Sequence, residues 1–183
     1  MRSSIIGAAA LLLAGTPSAA EPAWTVDHAT SRLGYAVAIG GTTATGRFDG
    51  WAAEIAFDQS RPEDGRVRVE IDMDTVSIDD ARAQAVGDAA WLGAEAHPTA
   101  VFQSDRFNLT EDGALTVTGW LTLKGIQAPM TLTGTLVVEG MEAWADLSGT
   151  VTRLSHHVGV GQDTVAAEVT VQATLTARCD PAD

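Results

Sequence analysis

The feature that most constrains the fold is a run of segments in which apolar and polar residues alternate with period two. The clearest of them, residues 115–124, places Leu115, Val117, Gly119, Leu121 and Leu123 on one face and Thr116, Thr118, Trp120, Thr122 and Lys124 on the other. Residues 132–138, 145–151 and 169–177 repeat the pattern. Successive side chains of a strand point to opposite faces, so each segment has one apolar wall and one wall for water. The pattern therefore predicts a mainly β protein, built as a closed sheet of about eight strands.

Several positions on the apolar faces are unusually small, and they allow two interpretations. These positions are Gly119, Gly134, Gly149 and Ala173. One interpretation is a hollow apolar lumen, because small side chains leave it unfilled. The other is that the glycines mark bends and bulges where a closing sheet must coil.

The first twenty residues are typical of a secretory signal peptide. Arg2 gives a basic start, residues 5–15 form a short apolar run, and Ser18-Ala19-Ala20 is a small-x-small ending. We expect cleavage after Ala20, export of the mature protein, and one domain over residues 21–183. No later segment is apolar for long enough to span a bilayer, so we expect no stable membrane insertion.

Charge and cysteine content narrow the possible partners. The chain has a formal net charge of −13, and without Arg2 the predicted mature protein is one unit more negative. The electrostatic field of such a negatively charged protein repels nucleic acid phosphates and anionic bilayers. Cys179 is the single cysteine, so no intramolecular disulfide forms, although an exposed thiol leaves a homodimer open.

One segment departs from period two. Between residues 77 and 92, apolar residues recur at spacings of three and four, and Ser77 is suited to be the N-cap of a helix. We therefore predict a helical insertion around residues 77–92.

Short motifs spread along the chain resemble the YceI-like family of exported bacterial proteins. Their order and spacing are more specific than any one of them. The motifs are Trp24-Thr25-Val26-Asp27, Gly46-Arg47-Phe48, Ile55-Ala56-Phe57-Asp58, Val69-Glu70-Ile71-Asp72, Trp91-Leu92, His97-Pro98-Thr99-Ala100-Val101-Phe102, and Gly119-Trp120-Leu121-Thr122-Leu123-Lys124-Gly125 with Pro129.

The resemblance implies an extended, lipocalin-like antiparallel barrel that holds a polyisoprenoid or another long-chain amphiphilic lipid in its lumen. It implies a periplasmic binding, carrier or sequestering protein that is not an enzyme and has no cofactor beyond a bound isoprenoid or fatty lipid. Because some relatives are linked to b-type membrane cytochromes, an alternative is an accessory protein that presents an isoprenoid quinone to such a partner.

We predict a lumen lined by apolar and aromatic side chains from most of the strands. The predicted residues are Tyr35, Val37, Ile39, Phe48, Trp51, Ile55, Ile71, Trp91, Phe102, Trp120, Leu121, Gly134, Leu136 and Leu147.

Two basic residues are candidates for recognising a lipid head group, because cations are scarce and both lie where the barrel could open. These are Lys124, at the Gly125 turn, and Arg153, after the strand that ends at Val151. Each also has a simpler interpretation: Lys124 as a solvated edge residue, and Arg153 as the partner of an acidic neighbour across strands.

The sequence offers no catalytic constellation. Ser155-His156 lacks a nucleophile elbow, which argues against a small hydrolase. Adjacent residues such as His156 and His157 could bind one metal ion only from a loop, with a third ligand such as Asp163; otherwise they are ordinary histidines. We predict neither a catalytic nor a metal site.

Overall fold

The computed structural model describes residues 22–79 and 86–179. The predicted signal peptide, residues 1–20, lies outside the described residues. Within them, no helix is both long enough and apolar enough to cross a membrane.

Most of the described chain is β-structure, as the alternation predicts. Short 3-10 turns occur at Pro62–Asp64, Met73–Thr75 and Arg153–His156. The strands are Ala23–Val26 (β1), Arg32–Ile39 (β2), Thr42–Phe48 (β3), Trp51–Ala56 (β4), Arg66–Asp72 (β5), Val76–Ile78 (β6), Thr99–Leu109 (β7), Ala114–Leu123 (β8), Ile126–Glu139 (β9), Glu142–Thr152 (β10) and Val165–Cys179 (β11).

The strands form a closed antiparallel barrel of eight strands. Hydrogen-bonded neighbours run β1-β4-β5-β7-β8-β9-β10-β11, and β11 pairs back onto β1 to close the ring. The long β11 also pairs with β2, which carries β3 and β6 as a branch of the same sheet. The pairs Trp24↔Cys179 and Tyr35↔Val171 show that β1 and β2 follow one another along the same edge of β11.

The strand directions give the barrel two distinct ends. At the end that we call the base, β4, β7, β9 and β11 finish and β1, β5, β8 and β10 begin. At the opposite end, which we call the mouth, lie the turn of residues 40–41, the segments 86–98 and 153–164, and the tight turn of residues 124–125. The longest connections of the fold are therefore gathered at the mouth.

The predicted helix at 77–92 is wrong over the part of it that the structure describes. Ser77 and Ile78 belong to β6, where they pair with Arg47 and Gly46 of β3. Residues 86–92 form turns, and residues 80–85 lie outside the described residues. The free edge of β3 satisfies the backbone of β6, and Leu92 is buried against the barrel, so tertiary contacts override a weak, alanine-based helical pattern.

The inward-facing glycines agree with the second interpretation, in which they mark positions where the closing sheet coils. A Cβ added at Gly119, Gly134 or Gly149 would collide with the backbone of the neighbouring strand, at the carbonyl oxygens of Gln103, Asp146 and Thr131 respectively. Glycine is required there because two backbones approach closely. These three residues therefore shape the wall of the barrel rather than leave space inside it.

Candidate functional site

The barrel encloses an apolar cavity of about 600 Å³. Inward-facing residues from every strand of the ring contribute to its wall, as do residues of the segments at the mouth. Along β11 the lining extends from Val165 to Ala177, which is about 40 Å of strand at about 3.3 Å per residue. At the usual tilt of about 40° this corresponds to about 30 Å along the barrel axis. The cavity is therefore long and narrow, with the dimensions of an extended chain.

The lining is almost free of charge. Apart from the indole N–H groups of its tryptophans, the described residues that line it with polar side chains are Tyr35, Arg153, Gln162 and Thr164. No carboxylate, lysine or histidine is among the described lining residues. Gln162 and Thr164 lie at the mouth, so the polarity of the cavity increases towards that end.

All of the predicted lumen residues line this cavity except Trp120 and Gly134. Trp120 is 43% exposed on the outer face of β8, opposite Pro129, so its predicted place in the lumen is wrong. The period-two pattern already placed Trp120 with the outward threonines, whereas the neighbouring Leu121 is inward and buried. Gly134 lies in the wall but has no side chain to present and is pressed against β10.

Other lining residues were not predicted. Leu115, Val117 and Met130 share the inward face of their strands and could have been found by strict application of the alternation. Trp24, Phe57 and Phe107 lie towards the base. Residues in the mouth segments, including Val158, Gln162 and Thr164, carry no sequence signal, since loop conformation alone brings them to the cavity.

Tyr35 supplies a neutral polar group in the wall. Its hydroxyl donates a hydrogen bond to the Ser77 carbonyl at 3.1 Å, and its ring lies over Gly46, where any Cβ would collide with it. Burial, and secondarily the negative charge of Asp79, raise the pKa of Tyr35 to about 12. The hydroxyl is therefore protonated at neutral pH.

Arg153 is a buried cation that binds backbone rather than an acid. It is 5% exposed, and its N–H groups donate to backbone oxygens at 2.6–2.9 Å. A guanidinium has five N–H donors, and each has its own acceptor. The acceptors are the carbonyls of Val158, Gly159, Gln162, Val165 and Ala166. The interpretation of Arg153 as the partner of an acidic residue is therefore wrong, and no guanidinium N–H remains for a head group.

Lys124 also binds backbone. It occupies the left-handed region with φ of 51° in the β8–β9 turn. Its Nζ donates to the carbonyls of Ala89 at 2.8 Å and His157 at 3.3 Å. It thus connects the two mouth segments, 86–98 and 153–164, and it is not among the residues that line the cavity.

The two adjacent histidines have different environments. His156 is 2% exposed, and its Nδ1 donates to the Ile126 carbonyl at 2.9 Å. His157 is exposed and ends the Arg153–His156 turn in a left-handed conformation. Among residues 22–79 and 86–179, no cluster of three histidine, cysteine or acidic side chains is placed to hold a metal ion.

A closed antiparallel barrel around a long, mainly apolar cavity defines the structural class of this protein. The chain belongs to the YceI-like domain family, whose model matches residues 24–177. The matched region begins in β1 and ends in β11, so it contains the whole ring of strands.

Relatives of known sequence or structure agree with this assignment. A UPF0312 protein of Ectopseudomonas mendocina is 30% identical over 106 residues, covering 57% of this chain and 52% of the relative. The chain thus spans about half the length of the curated relatives it matches. The crystal structure of BcnA from Burkholderia cenocepacia is 26% identical, with a TM-score of 0.77 over 82% of this chain and 98% of BcnA. A polyisoprenoid binding domain from Saccharophagus degradans shares the fold at 14% identity, with a TM-score of 0.65 over 87% of this chain and 100% of that domain.

Proposed function

We propose that this protein binds a polyisoprenoid or another long-chain amphiphilic lipid in the barrel, as a carrier or sequestering protein without catalysis of its own. The observation that carries the proposal is the long cavity, whose lining is apolar along its length and polar only in a few places. The shared fold of the polyisoprenoid binding domain from Saccharophagus degradans supports it.

The driving force for such binding is the removal of the lipid tail from water. Burial of apolar surface contributes about 25 cal/mol per Å². Binding of a long tail therefore depends more on a long apolar cavity that excludes water than on specific contacts. The polar lining residues Gln162 and Thr164 at the mouth orient an amphiphile with its polar end there and its tail towards the base.

The polar end of the ligand is expected to be neutral. Arg153 has all of its donors bound to carbonyls, and Lys124 Nζ is bound to two carbonyls outside the lining. An anionic head group would enter a site with no free cation among the described lining residues, in a protein that is itself strongly negative. A neutral hydroxyl or carbonyl can instead use Gln162 or Thr164 as a partner, and a ligand hydroxyl can also donate to the Tyr35 oxygen, whose own proton is bound to Ser77.

A quinone is such a neutral ligand, and the neutral polar lining therefore supports a second candidate function. In this second function, the protein presents an isoprenoid quinone to a b-type membrane cytochrome. Both functions place the protein in the periplasm, which is proposed from the signal-like residues 1–20.

The test is to purify the protein from its native export route and to compare native and denatured masses. We expect an additional mass that is lost on organic extraction and identified as a lipid by mass spectrometry. The inward Ala53→Phe variant should lose the lipid, because Ala53 lines the cavity. Its exposed neighbour Ala52 provides the control Ala52→Phe, which should retain it. An empty wild-type protein that also fails to take up added isoprenoid would overturn the proposal.

A further inference from the structure

We propose that an aromatic floor at the base of the cavity sets the longest lipid tail that the barrel accepts. The floor consists of Phe57 and Phe107, with Trp24 beside them and Gly65 behind them. This inference rests on the proposed function and adds to it a selection among lipids of one chemical class by tail length.

The floor is where the cavity ends. Phe57 and Phe107 line it and are only 5% and 7% exposed. Their ring centroids are 6.0 Å apart, with the planes tilted by 35°. Leu109, Val138 and Cys179 lie further along their strands towards the base; they pack against the core but do not line the cavity. A tail that enters from the mouth therefore ends against the two phenyl rings, with Leu115, Ala143 and Ala177 completing the lining at this end.

The floor is held in place by backbone contacts. The indole N–H of Trp24 donates a buried hydrogen bond of 2.9 Å to the Phe57 carbonyl. This bond fixes the point where the chain leaves β4, so the position of the Phe57 ring is set by the fold and not by the ligand.

Gly65 supports the floor from the side opposite the cavity. It follows the Pro62–Asp64 turn, is buried, and does not line the cavity. A Cβ at Gly65 would lie 3.0 Å from the Pro62 carbonyl oxygen of its own turn, and 3.1 Å from a ring carbon of Phe57 and from one of Phe107. Such contacts are tighter than van der Waals packing allows without a shift. The φ of Gly65 is −56°, which alanine adopts readily.

Two substitutions at the floor are therefore expected to act in opposite directions. Gly65→Ala adds a methyl group behind the rings and pushes them into the cavity, which shortens it. Phe107→Ala removes one of the rings and lengthens it. A residue that only stabilises the fold would not give changes of opposite sign in tail preference.

The experiment measures affinities for a series of unesterified isoprenoid alcohols that differ by one isoprene unit, by displacement of an apolar fluorophore. For wild type, affinity should rise with tail length and then stop rising at a limit. Gly65→Ala should weaken binding of the longest accepted alcohol by about tenfold, as expected when about two methylene groups are left outside an apolar site. It should leave shorter alcohols unaffected. Phe107→Ala should move the limit to a longer alcohol.

The matched control is Phe102→Ala, which removes the same side chain from the wall of the cavity, where Phe102 is 4% exposed. It should weaken the binding of all lengths without moving the limit. Phe107→Leu replaces Phe107→Ala if the latter does not fold. If wild type binds the alcohols but the limit is the same in every variant, the floor proposal is overturned and the proposed function stands. If wild type binds none of the alcohols, both the floor proposal and the proposed function are overturned.

Discussion

The base and the mouth of the barrel are closed by different physical means. At the base the connections 110–113 and 140–141 are short, and the longer connection 57–65 is folded into turns by its own backbone hydrogen bonds. The interior there is sealed by packed aromatic side chains, with Phe57 and Phe107 in contact. At the mouth long segments cross the end, and cations bind their carbonyls: Arg153 holds residues 158–166, and Lys124 links Ala89 to His157.

The difference follows from how many buried backbone groups at each end need a hydrogen-bond partner. Tight turns leave few backbone groups without partners, so apolar packing is enough to close the base. Long irregular segments that are partly buried carry carbonyls that no strand pairs with, and these require donors. A guanidinium provides five donors in a fixed plane, so one residue can organise a whole segment. A cation near an apolar cavity can thus stabilise the fold rather than bind a ligand.

The largest expected effect is at Arg153. Arg153→Met should lower the free energy of unfolding by about 3–5 kcal/mol, because it leaves buried carbonyls without donors. Arg153→Lys should lose nearly as much, since an ammonium has three donors and no planar fork. Urea unfolding measures both.

The control for this prediction is Arg178→Gln. Arg178 is 71% exposed and pairs with Glu142 on the surface, so its loss should change stability by less than about 1 kcal/mol. An Arg153→Lys variant as stable as wild type would show that charge, and not the five-donor geometry, closes the mouth.

The second-largest effect is expected in the wall of the barrel towards the base. Two strand backbones lie close together there, with no side chain between them. Gly134→Leu should destabilise the protein by about 2–4 kcal/mol, because the new side chain collides with the backbone of Asp146 on β10. Thermal unfolding should show the loss with or without an added lipid. A variant that melts like wild type but no longer takes up an apolar fluorophore would instead make Gly134 part of the ligand space.

A smaller effect is a loss of stability at high pH that depends on Tyr35. The folded protein raises the pKa of Tyr35 from 10.0 to about 12. The resulting stability is fully present below pH 10 and is lost as the pH rises from 10 to 12. The loss should be about 1–2 kcal/mol, less than full linkage would give, because solvent screens the hydroxyl from Asp79.

Tyr35→Phe tests this assignment. The variant should be less stable by about 1 kcal/mol at neutral pH, from the lost hydrogen bond to Ser77, and its urea midpoint should decline less above pH 10. Equal declines in the two proteins would assign the alkaline loss to other groups.

The smallest effect is expected at Trp120. Trp120→Thr should change stability by less than about 0.5 kcal/mol and leave lipid binding unchanged, because Trp120 lies on the outer face. The adjacent Leu121→Ala should cost about 2–4 kcal/mol, because Leu121 is 8% exposed and lines the cavity. A loss of lipid binding in the Trp120→Thr variant would show that Trp120 is part of the binding site.

The sequence by itself determined the strands and which of their residues face inward. Period-two alternation is a local property of an extended chain, so the inward positions of Val37, Ile55, Leu121 and Leu147 follow from parity alone. The lumen prediction is wrong for Trp120 because it rests on the large aromatic side chain, whereas parity places Trp120 on the outer face. The motifs of the family resemblance also predicted the barrel that the structure shows.

The tertiary structure alone decided the ends of the barrel and the role of its special residues. The acceptors of Arg153 lie 5 to 13 residues along the chain, and nothing in the sequence shows that a loop turns its carbonyls towards one guanidinium. Gly134 is a close-contact position only because β10 lies against it. Ser77 joins a strand because β3 offers it a free edge. Periodicity reports which face of an element is buried, whereas the approach of one backbone to another is a property of the assembled barrel.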